Sequence, residues 1–217
     1  MQDMLIDLKL AGKTVLIFGG GKIGEKKARK FLQANSMVVV VSKSFTDDLK
    51  RLGQQGKLKL VEAEVKVDSP SITSLISKSD LVIAATDNPK LNEDIVKEAR
   101  KRGVLVCAVD MPSINDFYLP AIAQIGEIQI AVSTGGKSPA MARILRKRVE
   151  ELITKEDALQ VELQHYARKL AKSHIPDEKA RKSALYQIIQ NSDVKRLLKE
   201  DNLKEAEALA KQIIEKY

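Results

Sequence analysis

The sequence predicts an α/β protein in three parts: a parallel sheet with helices on both faces, a small α+β segment, and a helical domain. Apolar strand-like runs alternate with amphipathic helix-like runs over the first 110 residues, and the alternation stops after residue 112. Strands that are buried on both faces and separated by helices form parallel sheets. We therefore place domains at residues 1–112, 113–150 and 151–217.

The predicted elements of the first domain follow in order. The strand-like runs are KTVLIFGG (13–20), MVVVVS (37–42), LKLVEAEV (58–65), DLVIAAT (80–86) and VLVCAVD (104–110). The helix-like runs are GEKKARKFLQAN (24–35), TDDLKRLGQQG (46–56), SITSLISKS (71–79) and NPKLNEDIVKEARKRG (88–103).

The pattern differs in the rest of the chain. Two strand-like runs around Ile125-Gly126-Glu127 predict an antiparallel hairpin, and residues 138–153 predict a helix with Ser138 as N-cap and Pro139 in its first turn. After residue 155 the sequence is polar with a helical period, and Pro176 is its only interior helix breaker.

Composition narrows the class of protein and its partners. The net charge is +8, and residues 137–150 hold five basic side chains against one acidic. Such a segment suits an anionic partner or is simply a solvated helix face. With 4% aromatic residues and no recognition motif, nucleic acid is not the expected partner. One cysteine and no long apolar stretch lead us to expect a cytoplasmic protein without a membrane span.

A glycine-rich stretch joins the first strand to the first helix. Its spacing, Gly19-x-Gly21-x-x-Gly24, fits the fingerprint of dinucleotide-binding Rossmann-like folds. The first glycine makes a tight turn, the second lets the pyrophosphate approach the backbone, and the third allows close packing of helix and strand. A purely structural glycine turn is the alternative.

The end of the second strand departs from that fingerprint. The sequence there is Val41-Ser42-Lys43-Ser44, without the acidic residue that usually binds the adenosine ribose. A hydroxyl and a cation could accept a 2′-phosphate, so these residues by themselves lean slightly toward NADP.

Polar residues follow the fourth and fifth strands, where open parallel sheets place their ligands. Thr86 and Asp87 are candidates to bound a cofactor pocket, although Asp87 or Asn88 could instead cap a helix. Asp110 comes directly before Met111-Pro112, and a partly buried carboxylate there could act as a proton acceptor. The alternative for Asp110 is a turn-forming aspartate.

A second glycine-containing loop precedes the basic helix. Backbone amides, hydroxyls and a helix N-terminus there predict an anion cradle, with an ordinary capped loop as the alternative. The candidate substrate-binding residues are Ser133, Thr134, Gly135, Gly136, Lys137, Ser138, Arg143 and Arg146. No closely spaced His/Cys cluster predicts a metal site; His165 and His174 are expected at the surface and Cys107 in the core.

Four stretches together resemble precorrin-2 dehydrogenase, the N-terminal module of siroheme synthase. They are VLIFGGGKIGEKKA, AATDNPxLN, VDMP with FYLPA, and AVSTGGKSPAMARILR, and they span residues 1 to about 150. The resemblance implies oxidation of precorrin-2 to sirohydrochlorin with NAD⁺, and a homodimer held by the middle segment. It also implies that some members insert ferrous iron and others do not.

The resemblance also implies roles for individual residues. Asp110 matches the family's catalytic aspartate, while Lys22, Ile23, Lys43 and Ser44 match its NAD contacts. The family uses NAD without an acidic residue after the second strand, which overrides the lean toward NADP. Thr134 stands where some relatives have serine, so regulation through that serine is not expected. A non-catalytic dinucleotide-sensing module is the alternative function, and it would need the glycine loop but not Asp110.

Overall fold

A computed structural model of the chain describes residues 4–217, which fall into two compact units that divide after Leu119. The first unit contains a five-stranded parallel sheet in the order β3-β2-β1-β4-β5. Its strands are β1 (Thr14–Phe18), β2 (Met37–Ser42), β3 (Lys59–Glu62), β4 (Leu81–Ala84) and β5 (Leu105–Ala108). Its helices are α1 (Lys22–Gln33), α2 (Asp47–Gln54), α3 (Pro70–Ser77) and α4 (Pro89–Lys101). The predicted Rossmann-like fold is confirmed.

The sheet is buried on both faces because its strands are apolar at nearly every position. Val15 and Ile17 share one core with residues of α1 and α2, while Leu16 and Phe18 share the other with residues of α3 and α4. Successive side chains of a strand point to opposite faces, so β1 contributes to both cores. Cys107 lies in the first core as predicted, and burial raises the pKa of its thiol.

The second unit begins with the predicted hairpin. Strands β6 (Ala121–Ile125) and β7 (Ile128–Val132) pair antiparallel around a two-residue turn in which Gly126 has a φ of 54°. Helix α5 (Pro139–Leu152) contacts both strands. Its N-cap is Ser138, whose Oγ accepts a hydrogen bond from the Met141 amide at 3.2 Å.

Four helices with one shared core complete the second unit: α6 (Lys155–His174), α7 (Glu178–Gln190), α8 (Ser192–Lys199) and α9 (Leu203–Ile214). Pro176 separates α6 from α7, as predicted. Two further breaks were not predicted. Asn191 caps α8 by accepting from two backbone amides, and Asp201 adopts a φ of 62° just before Asn202, the N-cap of α9. No helix among residues 4–217 is long and apolar enough to cross a membrane.

Candidate functional site

The glycine loop lies at the carboxyl edge of the sheet, above β1. Strand β1 pairs with both β2 and β4. Strands β2 and β3 are added on one side of β1 and strands β4 and β5 on the other, and such folds bind ligands at the point where this strand order reverses. The segments after β2 and β4 flank the loop. The dinucleotide fingerprint therefore stands in the predicted place.

The three fingerprint glycines differ in what surrounds them. Gly19 has a φ of 111°, and a Cβ there would lie 2.2 Å from the Ala85 carbonyl oxygen. A Cβ on Gly24 would lie 1.9 Å from the Gly19 carbonyl oxygen. A Cβ on Gly21 would meet no protein atom within 4 Å. Two glycines are thus required by the fold, and the third keeps open the space that a pyrophosphate needs.

The first turn of α1 can hold an anion. Gly21 is the N-cap and has no side chain to accept from the first-turn amides, which leaves them available to a ligand. Lys22 and Ile23 follow and are exposed. These residues fit a dinucleotide pyrophosphate, because the amides, the helix dipole and the open space meet at one point.

The segment after β2 packs against the glycine loop. A Cβ on Gly20 would lie 2.1 Å from the Ser44 carbonyl oxygen, and the Thr46 amide donates to the Gly20 carbonyl at 3.0 Å. Ser42 and Lys43 therefore stand beside the loop, at the position expected for the adenosine ribose.

Sequence reasoning missed the partner of Lys43. Its ammonium lies 2.6 Å from Glu64 Oε1 on the segment after β3, and this hydrogen bond lowers the pKa of the Glu64 carboxyl. A paired lysine beside a carboxylate is a poorer acceptor for a 2′-phosphate than a free one. The pair is largely exposed, so it weakens the residue-level reason for favouring NADP only slightly.

Glu25 was also missed, although it lies in the first turn of α1. Its side chain is almost buried, and its two oxygens accept hydrogen bonds from Arg29 Nε at 3.0 Å and Thr46 Oγ1 at 2.9 Å. Arg29 also forms an ion pair with Asp48 at 2.7 Å. The glutamate therefore ties the segment after β2 to α1. Its position in a first helical turn, where acidic residues are favoured, was the available signal.

Thr86, Asn92 and Asp110 form a hydrogen-bonded group above β4 and β5. Asp110 is exposed rather than partly buried, and both of its carboxylate oxygens lie 3.2 Å from Asn92 Nδ2. Asn92 is fully buried and also bonds Thr86. The carboxylate is therefore bonded to α4 rather than to its own turn, and the residue is exposed.

The residues between Thr86 and α4 divide into two roles. Asn88 is the N-cap, since its side chain accepts from the Leu91 amide at 3.1 Å. Asp87 is exposed and takes no part in the cap, so it stays a candidate for cofactor contact. Thr86 is fixed by Asn92 beside the glycine loop, because the neighbouring residue Ala85 is the one that Gly19 contacts.

The predicted anion cradle in the second unit is a tight loop between β7 and α5. Gly135 and Gly136 have φ values of 58° and 75°. Ser133 Oγ accepts from the Gly135 amide at 3.3 Å, and Thr134 Oγ1 accepts from the Ser138 amide at 3.1 Å. Two of the loop amides are thus bonded to the loop's own hydroxyls, and the Lys137 amide donates to the Thr134 carbonyl at 3.1 Å. Gly136 and Lys137 are exposed.

The two arginines of this cradle differ. Arg143 is exposed, and no ion pair involves it among residues 4–217. Arg146 is half-buried and forms an ion pair with Glu150 one turn along α5. Arg143 is therefore the freer cation for a ligand carboxylate. Within the described part of the chain, no group of three His, Cys, Asp or Glu side chains could hold a metal ion.

The sequence matches two known families over most of its first 152 residues. An NAD(P)-binding family matches residues 6–121, and the family described as "Sirohaem biosynthesis protein central" matches residues 126–152. The precorrin-2 dehydrogenase of Methanosarcina barkeri is 35% identical over 188 residues, covering 86% of this chain and 83% of its own. Siroheme synthase 2 of Yersinia pseudotuberculosis is 34% identical over 166 residues, but this chain spans only 34% of its length.

A solved structure of SirC, a precorrin-2 dehydrogenase, superposes on 99% of this chain with a TM-score of 0.76 at 21% identity, which supports the fold. The Methanosarcina barkeri enzyme is matched over more than four fifths of both chains, which is enough to assign the family. The chain belongs to the precorrin-2 dehydrogenase family.

Proposed function

We propose that this chain oxidises precorrin-2 to sirohydrochlorin in siroheme biosynthesis, with NAD as hydride acceptor and Asp110 as base. The observation that carries the proposal is the exposed Asp110 carboxylate, held by Asn92 two strands along from the glycine loop. A dinucleotide sensor would need the glycine loop, but it would have no use for a carboxylate fixed at the ligand-binding edge of the sheet.

The reaction removes a hydride and a proton from the substrate. The NAD ring accepts the hydride when the cofactor is bound. Gly19, Gly21 and the first turn of α1 would hold its pyrophosphate, and Ser42 to Ser44 would bound its ribose. Asp110 takes the proton, because an exposed carboxylate with one amide partner keeps lone pairs free to accept it.

Thr86 and Asp87 would bound the nicotinamide side of the pocket. Thr86 is half-buried, and its hydroxyl is hydrogen-bonded to Asn88 and Asn92, so its side chain is held in one position. Asp87 is exposed beside it. Lys22 and Ile23 would cover the phosphates from the start of α1.

The substrate is a polycarboxylate, and the loop before α5 supplies groups for it. Lys137 and Arg143 are exposed cations. Gly136, which directly precedes Lys137, is also exposed. Such groups bind carboxylates by charge-assisted hydrogen bonds. Arg146 would contribute once it exchanges Glu150 for a substrate carboxylate.

The test follows the absorption spectrum of purified protein mixed with precorrin-2 and NAD⁺. Formation of sirohydrochlorin by the wild type, and its loss in Asp110→Ala with NAD⁺ binding retained, would support the proposal. Removing a general base typically lowers turnover by about 10²–10⁴-fold. Full activity in Asp110→Ala would remove this residue from the mechanism. Ferrous iron added afterwards tests iron insertion, which the sequence leaves open.

A homodimer held by residues 113–150 is the second part of the proposal. The β6–β7 sheet has only two strands, so both of its edges are open, and such a hairpin is only marginally stable alone. Ile122 on the hairpin and Met141, Ile144 and Leu152 on α5 expose large apolar side chains. A second copy covering this surface would bury them.

Sedimentation of Ile122→Glu tests the dimer. The variant should dissociate at concentrations at which the wild type sediments as a dimer. Met37→Glu, which changes an exposed apolar residue of the first unit, should not dissociate there. Unchanged sedimentation of Ile122→Glu would place the interface elsewhere. A cytoplasmic location also stays a prediction, which cell fractionation can test.

A further inference from the structure

Asn92 is an unusual residue at its place in the fold. It lies on α4 facing the sheet, and its side chain is 0% exposed although asparagine is polar. The other buried residues of α4 are Ile95, Val96 and Ala99, all apolar. Buried polar groups are retained only where hydrogen bonds satisfy them, so the contacts of Asn92 indicate what it does.

Every hydrogen-bonding position of the Asn92 amide is used. Its Oδ1 accepts from the Thr86 amide at 3.1 Å and from Thr86 Oγ1 at 2.7 Å. Its Nδ2 donates to the Thr86 carbonyl at 3.2 Å and to Asp110. The reverse orientation would set the amide oxygen against a carboxylate and a carbonyl, so the partners fix which atom is which.

We infer that Asn92 is a positioning residue that aims the Asp110 carboxylate and locks it to the segment after β4. The inference rests on the proposed function, in which Asp110 is the base. Among residues 4–217, the hydrogen bonds from Asn92 are the only ones made by the exposed Asp110 carboxylate, and no ion pair involves it. Nδ2 lies 3.2 Å from both oxygens, so the open side of the carboxylate faces the Asn92 amide.

The same amide sets the spacing between two parts of the site. Asn92 donates to both oxygens of Asp110 after β5, and three hydrogen bonds join it to Thr86 after β4, so the two residues are linked through one side chain. A proton acceptor must meet its substrate in a defined geometry, and a displacement of about 1 Å can lower a rate by about 100-fold. In this proposal Asn92 fixes the position of Asp110 and does not itself contact the substrate.

The decisive variant is Asn92→Asp. Aspartate has the same shape and keeps an oxygen toward the Thr86 donors, but it replaces the N–H donor by an oxygen that faces Asp110. We expect kcat to fall by about 10- to 100-fold with little change in the dissociation constant of NAD⁺. Asn88→Ala is the matched control: it weakens the start of the same helix by removing its cap, and should lower the melting temperature but leave kcat unchanged.

A second readout uses the cofactor-free protein and no turnover. The side-chain amide of ¹⁵N-labelled Asn92, identified by its absence in Asn92→Asp, should shift in Asp110→Ala, because that change removes its acceptor. The same signal should stay in place in Asn88→Ala. Asp110→Ala leaves the buried Asn92 N–H without its acceptor, a cost of about 1–3 kcal/mol, so its melting temperature is measured alongside the spectrum.

The outcomes distinguish a failure of the role inferred for Asn92 from a failure of the proposed dehydrogenase function. An Asn92 amide signal that ignores Asp110→Ala, or an Asn92→Asp variant with wild-type kcat, would overturn the inference while leaving the dehydrogenase proposal intact. A wild type that does not oxidise precorrin-2 would overturn the proposed function, and the amide signal would then still decide whether Asn92 holds Asp110.

Discussion

Gly21→Asp should leave the stability of the cofactor-free protein unchanged or slightly raised, and should weaken NAD⁺ binding. The variant therefore tests the two effects separately. Gly21 caps α1 with a φ of −82°, which any residue can adopt, and a Cβ there meets no protein atom. An aspartate can accept from the first-turn amides and complements the helix dipole, a gain of about 0.5 kcal/mol. The cofactor-free variant should therefore unfold at the wild-type temperature or slightly above it.

The same carboxylate would occupy the space intended for the pyrophosphate. Two like charges 4 Å apart repel by about 1 kcal/mol in water and by about 4 kcal/mol at an effective dielectric constant of 20. Since 1.4 kcal/mol is a factor of ten, NAD⁺ should bind about fivefold to about 1000-fold more weakly. The aspartate also accepts hydrogen bonds from the amides that the phosphate would use. The loss of NAD⁺ affinity should therefore lie near the upper end of this range.

Calorimetric titration with NAD⁺ and a thermal melt make the two measurements. Asn35→Asp is the control, because it adds the same charge just past the other end of α1, a helix of 12 residues and about 18 Å. That distance exceeds the Debye length of about 8 Å at physiological salt, so its NAD⁺ affinity should be unchanged. Wild-type affinity in Gly21→Asp would show that the pyrophosphate binds elsewhere.

Three further predictions follow from the structure. Gly24→Ala should lower the free energy of unfolding by at least about 1–3 kcal/mol in urea, since its Cβ would overlap the Gly19 carbonyl; a wild-type midpoint would contradict this packing. Lys13 and the Thr14 amide lower the pKa of Asp80, so Asp80→Asn should destabilise the protein at pH 7, and the difference should shrink as the pH falls below about 4. A difference that persists at pH 2 would refute the charge origin. Arg143→Gln should raise the KM for precorrin-2 about fivefold, or about 1 kcal/mol, with unchanged NAD⁺ affinity, and an unchanged KM would remove it from the substrate site.

Local patterns were enough to predict most of the fold. The runs around β1, β2 and β4 are apolar at every buried position, and the Gly126 turn and the Ser138 cap have short-range signatures. The breaks before α8 and α9 were missed because no proline or glycine marks them. Asn191 and Asn202 are good capping residues, and they were the signal that could have located these breaks.

The site was harder to predict because its contacts cross between elements. The sequence pointed to Asp110 and the glycine loop by their position after strands, and the structure places them at one edge of the sheet. Nothing local indicates that Asn92 bonds a residue 18 positions away, or that Glu64 pairs with Lys43. Such partners become visible only when the strand order is known. The roles of the individual site residues stay predictions until the variants are measured.

The bond from Thr46 to Glu25 has a consequence for redesign of the enzyme. It anchors the start of α2 to α1, and the Thr46 amide donates to the Gly20 carbonyl. Residues 42–45 therefore form a short bridge between the end of β2 and the anchored Thr46. The exposed side chains of Lys43 and Ser44 can be exchanged while both ends stay in place, whereas Phe45 packs against the first core. A switch of coenzyme preference toward the phosphorylated form would therefore start from Glu64 and the bridge, and would leave Glu25 and Thr46 untouched.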